Sequence, residues 1–97
     1  FGMDHVYLVC YDITDQKRWR RIYKTMKGYG VWLQLSVFQC RLSRQNLLRM
    51  TDTLTELMNA DEDHVMIIDV GPAESINIRV ESFGRPFRPI ERRSVIV

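Results

Sequence analysis

Asp12 is the residue from which chemistry can start. It ends an apolar run rich in β-branched and aromatic residues, Val6-Tyr7-Leu8-Val9-Cys10-Tyr11, and Gln16-Lys17-Arg18-Trp19-Arg20-Arg21 follows within a few positions. Such a run reads as a strand that delivers one carboxylate to its carboxyl end, before the chain turns into a helix carrying positive charge. A hard oxygen anion beside a block of cations suits the handling of phosphodiesters with a divalent ion. Taken alone the pattern says little, because a carboxylate between strand and helix is most often a turn or capping residue. Asp15, the next acid, reads as a cap rather than a ligand.

The distribution of charge adds to this. Lys17, Arg18, Arg20, Arg21, Lys24 and Lys27 share one segment with no acid among them. Charge runs are usually solvated faces, but here no Glu at i, i+4 relieves the mutual repulsion, whereas a phosphate backbone would. Arg85, Arg88, Arg92 and Arg93 form a second cluster, broken by Glu91, and acids gather at Asp61-Glu62-Asp63. Segregation of this kind attracts a polyanion locally even though the net charge is only +2. The chain has no aromatic-interleaved platform for single strands, so contacts to backbone rather than to bases are expected. His5 and His64 lack ligand spacing. Cys10 and Cys40 lack CxxC spacing and read as thiols buried in a reducing, cytoplasmic interior.

The elements that must position these residues follow from periodicity. A chain of 97 residues makes one domain, and no apolar run approaches the length of a membrane span. Phe1-Gly2 ahead of Met3 reads as an addition, with Met3 the natural start. Val6 to Ile13 is a strand. Asp15 to Lys27 is a helix with Trp19, Ile22, Tyr23 and Met26 on its buried stripe, capped by Thr14 or Asp15. Gly28-Tyr29-Gly30 is expected to end it through a left-handed glycine. Val31 to Leu42 is too long for one strand and divides near Gln34 to Ser36. Ser43 caps a second helix, Arg44 to Asn59, with Leu47, Met50, Leu54, Leu57 and Met58 facing inward. His64 to Val70 is a strand, Gly71-Pro72 a turn, and Ser75 to Phe83 alternates like a half-exposed antiparallel strand. A basic connection from residue 84 leads to an apolar tip, Ser94 to Val97.

The order β, α, β, β, α, β predicts an α+β fold, the ferredoxin-like sandwich with additional C-terminal strands. Two helices cover one face of the sheet. The strands are apolar on the other face as well, which predicts a homodimer through the sheet, with the Ser94 to Val97 tip adding to a sheet of the partner.

With these elements in place the chain resembles a known family. Tyr11-Asp12-Ile13-Thr14-Asp15, the basic helix and Gly28-Tyr29-Gly30 match its opening. Gln34-Leu35-Ser36-Val37-Phe38-Gln39-Cys40-Arg41-Leu42 is similar to its second motif. Together they resemble the small CRISPR-associated endonuclease, the Cas-two family. Trp32 and Leu33 stand where members commonly carry a basic residue, and Trp19 where many carry a charged one. The resemblance implies a ferredoxin-like homodimer with Mg2+ at the aspartate ending the first strand, shared between the two Asp12 of the dimer. It implies cleavage of RNA or DNA during acquisition of new spacers, with the CRISPR-associated integrase as partner. The alternative is a non-catalytic bridge that binds double-stranded DNA in the integrase complex; a stand-alone, toxin-like ribonuclease is a third class. Asp12 is then the catalytic and metal-binding residue. Lys17, Arg18, Arg20, Arg21, Lys24 and Arg41 are the nucleic-acid contacts. Tyr11 and Phe38 are possible accessory residues, for which core packing is the competing role.

Overall fold

A computed structural model describes residues 3–85. Its elements run β1 (His5–Asp12), α1 (Gln16–Lys27), β2 (Gly30–Gln34), β3 (Val37–Leu42), α2 (Arg44–Leu57) and β4 (His64–Pro72). The sheet order is β2-β3-β1-β4, and every neighbouring pair is antiparallel. This is the ferredoxin-like βαββαβ arrangement expected from the sequence.

Strand alternation sorts the side chains. Tyr7, Val9 and Tyr11 of β1 and Phe38, Cys40 and Leu42 of β3 enter the core, where Ile22, Tyr23 and Met26 of α1 and Met50 and Leu54 of α2 meet them. Val9 lies opposite Phe38 and Tyr7 opposite Cys40, which places the largest apolar volume under the middle of the sheet. Burial pushes the Cys40 thiol up to about 11, so it stays protonated and unreactive near neutrality. The alternate residues, among them Leu8, Cys10, Val31, Met66 and Ile68, lie on the opposite face, where Val31, Met66 and Ile68 are exposed.

Both helices start as expected. Asp15 caps α1 by accepting the Arg18 N–H at 2.9 Å, and Ser43 caps α2 by accepting the Asn46 N–H at 3.1 Å. The exit from α1 differs from expectation. Gly28 has φ −79° and ψ −13°, a right-handed conformation that any residue adopts, so no left-handed glycine ends the helix. Gly30 is needed for another reason: a Cβ there would come within 2.5 Å of both the Cys40 Sγ and the Gln39 carbonyl oxygen. The two strands divide at Leu35-Ser36, where Leu35 takes φ +43°.

The strand expected at Ser75 to Phe83 is also corrected. Ser75 closes a turn by donating its N–H to the Pro72 carbonyl at 3.0 Å, and residues 76–83 pair with no strand among the described residues. The alternation of Ile76, Ile78 and Val80 suits a strand, but strand structure also needs a hydrogen-bonding neighbour. Here Ile76 lies against Gly71 of β4 without joining its ladder. Arg88, Arg92, Arg93 and the Ser94 to Val97 tip lie outside the described residues.

Candidate metal and nucleic-acid site

Asp12 occupies the last position of β1, opposite His64 of β4, and its side chain is exposed. None of the hydrogen bonds and ion pairs among the described residues engages its carboxylate. Its backbone, by contrast, is tied on both sides. Toward β3, the Tyr11 N–H donates to the Ser36 carbonyl at 3.0 Å. The Ser36 turn is itself held by two indoles: Trp19 Nε1–H donates to Ser36 Oγ and Trp32 Nε1–H to the Leu35 carbonyl, each at 2.9 Å. Trp19 stacks on Tyr23 with ring centroids 5.2 Å apart, and this fixes the indole on α1. Beyond Asp12, toward the α2–β4 loop, the Thr14 N–H donates to Asp63 Oδ1 at 3.0 Å.

Asp63 is an acid to which the sequence pattern assigns no role. Its carboxylate also accepts from Arg18 Nε at 2.8 Å, Arg18 Nη2 at 3.2 Å and the Asn59 N–H at 2.8 Å. The Arg18 guanidinium holds the Asp63 carboxyl well below the usual carboxylate range, and Asp63 in turn raises the pKa of Arg18. Glu62 adds a bond to Arg18 Nη2 at 3.1 Å. Arg18, read from sequence as one of six cations free for phosphate, therefore points into the acidic loop.

The other cations of α1 face solvent. Lys17, Arg20, Arg21 and Lys24 are exposed and leave the helix on the side away from the core, whereas Lys27, also exposed, lies at the core's edge with its Nζ 5.3 Å from the Tyr23 ring centroid. Arg41 shares the sheet face of Asp12 but pairs with Val6, six residues back along β1. At about 3.3 Å per residue that is ~20 Å away. Tyr11 and Phe38 stack on each other, centroids 6.3 Å apart, on the helix side of the sheet. Both are buried members of the core, the competing role for them.

Among the described residues no three His, Cys, Asp or Glu side chains gather to hold a metal. At the end of β1, one chain thus presents the Asp12 carboxylate as a hard-oxygen donor with no hydrogen bond or ion pair among the described residues. That donor set fits a magnesium ion, which takes one or two carboxylates and keeps waters for the rest.

A ferredoxin-like sandwich with one bare aspartate at the end of its first strand defines a class, and the comparisons with known proteins narrow it. Residues 5–76 match the family model described as CRISPR associated protein Cas2. The chain is 55% identical over 95 residues to the CRISPR-associated endoribonuclease Cas2 of Geobacter sulfurreducens, covering 98% of this chain and 100% of the relative. It is 50% identical to CRISPR-associated endoribonuclease Cas2 1 of Rhodospirillum rubrum, over 97% of this chain and 92% of that one. Among solved structures it superposes on Streptococcus pyogenes Cas2 with a TM-score of 0.70 at 27% identity, covering 81% of this chain and 99% of that one. The chain belongs to the Cas2 family. No helix among the described residues is long and apolar enough to cross a membrane.

Proposed function

We propose that this chain is a divalent-metal-dependent endonuclease that cleaves phosphodiesters of RNA or DNA as a homodimer, in the acquisition of CRISPR spacers alongside an integrase in the cytoplasm. The observation that carries the reading is Asp12. It is an exposed carboxylate with no partner among the described residues, at the end of a strand whose backbone is clamped on both sides, in a chain 55% identical to a relative named as an endoribonuclease.

The division of labour follows from placement. Asp12 supplies the anionic oxygen for Mg2+, and a second copy's Asp12 would supply the other carboxylate. Bound magnesium lowers the pKa of a water and offsets charge on the phosphodiester. Lys17, Arg20, Arg21 and Lys24 bind the phosphate backbone by charge, which fixes the position of the polymer but not its sequence. Tyr11 and Phe38 keep the strand end from shifting under load.

The test is cleavage of labelled RNA and DNA by the wild type and by Asp12→Ala, with magnesium and with chelator. Loss of cleavage in Asp12→Ala, with nucleic-acid affinity retained or slightly raised, is the expected outcome, since the substitution removes one anion from a surface meant for polyanions. Cleavage at the wild-type rate in the variant would overturn the reading. The exposed Lys17, Arg20, Arg21 and Lys24 also suit one other role, a non-catalytic double-stranded-DNA bridge. A wild type that binds duplex but cleaves nothing with any divalent ion would establish it.

A further inference from the structure

The Asp63 carboxylate meets three separate segments: the β1–α1 turn through the Thr14 N–H, the first turn of α1 through Arg18, and the exit of α2 through the Asn59 N–H. Its side chain is wholly shielded from solvent. The Thr14 hydroxyl is also within reach of Oδ1, at 3.3 Å. With its oxygens occupied by donors, Asp63 has no place left for a metal, so it is not a ligand. It precedes His64, the residue opposite Asp12, while Thr14 lies two residues after Asp12. The carboxylate therefore joins the two strands just beyond the end of their ladder, where an antiparallel pair would otherwise fray.

We propose that Asp63, held by Arg18, is the positioning residue for Asp12. It fixes the Asp12-Ile13-Thr14 backbone so that the Asp12 carboxylate is presented in one place to a divalent cation. This rests on the reading of Asp12 as a metal ligand. A neutral hydroxyl or amide could bridge the same turn, but only an anion there pairs with the half-sheltered Arg18 guanidinium, for which Glu62 alone leaves Nε without an acceptor. The fork of Arg18 also fixes which way the Asp63 carboxylate faces, and hence which oxygen receives the Thr14 N–H.

The experiment uses Mn2+ alone as probe, with calorimetry for affinity and amide hydrogen exchange for the backbone, on the wild type, Asp12→Ala, Asp63→Asn, Arg18→Lys and Thr14→Val. Asp63→Asn should speed exchange at Ile13 and Thr14 and weaken Mn2+ binding by about 10-fold or more, the usual scale for losing an outer partner of a metal site. Arg18→Lys, which keeps the charge but not the fork, should fall between Asp63→Asn and wild type and serves if Asp63→Asn does not fold. Thr14→Val, which keeps the N–H, should bind as the wild type does. In cleavage, kcat should fall with KM for RNA unchanged.

Folded Asp63→Asn and Arg18→Lys that both bind Mn2+ with wild-type affinity, against a wild type whose binding requires Asp12, would overturn the positioning role and leave the metal reading standing. Mn2+ binding that is the same in the wild type and in Asp12→Ala would instead remove the metal reading. The presentation of Asp12 to a cation falls with it, and exchange then decides only the backbone part: unchanged exchange at Ile13 and Thr14 in Asp63→Asn overturns the fixing of the turn by Asp63, and faster exchange upholds that fixing alone.

Discussion

The two ends of β1 are held by polar side-chain pairs of opposite styles. At the carboxyl end, Arg18 and Asp63 meet at 2.8 Å with side-chain exposures of 22% and 0%. At the amino end, His5 meets Asp69 at 2.9 Å with 35% and 55%, and Arg41 meets Asp4 at 3.4 Å with 65% and 34%. Water screens the amino-end pairs, and exposed pairs of that kind contribute little. The carboxyl-end pair is sheltered, and its acid is also bonded to two backbone N–H groups. The fold thus concentrates its electrostatic order at the end where Asp12 stands. A free carboxylate is useful as a ligand only if its backbone stays still, and the amino end has no comparable demand.

The largest break in this contrast comes from Asp63→Ala. It should lower the denaturant midpoint more than His5→Ala or Asp4→Ala, because it strands the Arg18 guanidinium and leaves the Thr14 and Asn59 N–H groups without their acceptor. The pH dependence has a definite sign. Asp63 is depressed in the folded state, so its stabilisation is complete above the unfolded carboxylate pKa of about 3.9 and is lost as pH falls further toward the folded value. Acid unfolding followed by circular dichroism should therefore be less steep below about pH 4 in Asp63→Ala. An unchanged acid limb would show that the pair does not set the acid stability.

Next in size is the nucleic-acid surface proposed for α1. Replacing Arg20, Arg21 and Lys24 by alanine should weaken duplex binding and flatten its dependence on salt, by about 0.9 in log–log slope for each phosphate that is no longer neutralised. Arg18 does not belong to that set, since its guanidinium already serves Asp63 and Glu62. A slope unchanged in the triple variant would mean that α1 faces away from the polymer.

How much of this was legible in the sequence depends on the range of the interaction. Local signals held: the apolar run ending in Asp12, the i, i+3, i+4, i+7 stripe of Trp19, Ile22, Tyr23 and Met26, and the Ser43 cap all report interactions within a few residues. The turn at Leu35-Ser36 was legible as a break, but its fastening by Trp19 and Trp32 was not, because periodicity assigns an indole to a face and says nothing of what its N–H meets. Arg18 groups with its neighbours in the sequence for the same reason. Its acid partner lies 45 positions away, and a run of like charge gives no sign of which member turns inward. The alternation at residues 76–83 shows the converse limit, since a strand pattern states which side chains share a face but not whether a neighbouring strand is at hand.

The smallest expected effect, and the sharpest check on the comparison, belongs to Arg41→Ala. Arg41 stands on the same sheet face as Asp12, ~20 Å back along β1 by strand rise. Its ion pair among the described residues, to Asp4, is long at 3.4 Å and largely in water. Losing such a pair costs less than about 1 kcal/mol, so the denaturant midpoint should barely move. Arg41 is also a candidate for binding phosphate, and Asp4 beside it offsets part of its charge for any approaching polyanion. The salt slope should then fall by no more than the share of a single phosphate, about 0.9 for duplex DNA. Equilibrium unfolding and a salt titration of duplex binding measure both. A loss of stability matching that of Asp63→Ala would mean that the amino end is held as firmly as the carboxyl end, and the asymmetry along β1 would not exist. A drop in slope matching the triple α1 variant would instead move the polymer across the open face of the sheet.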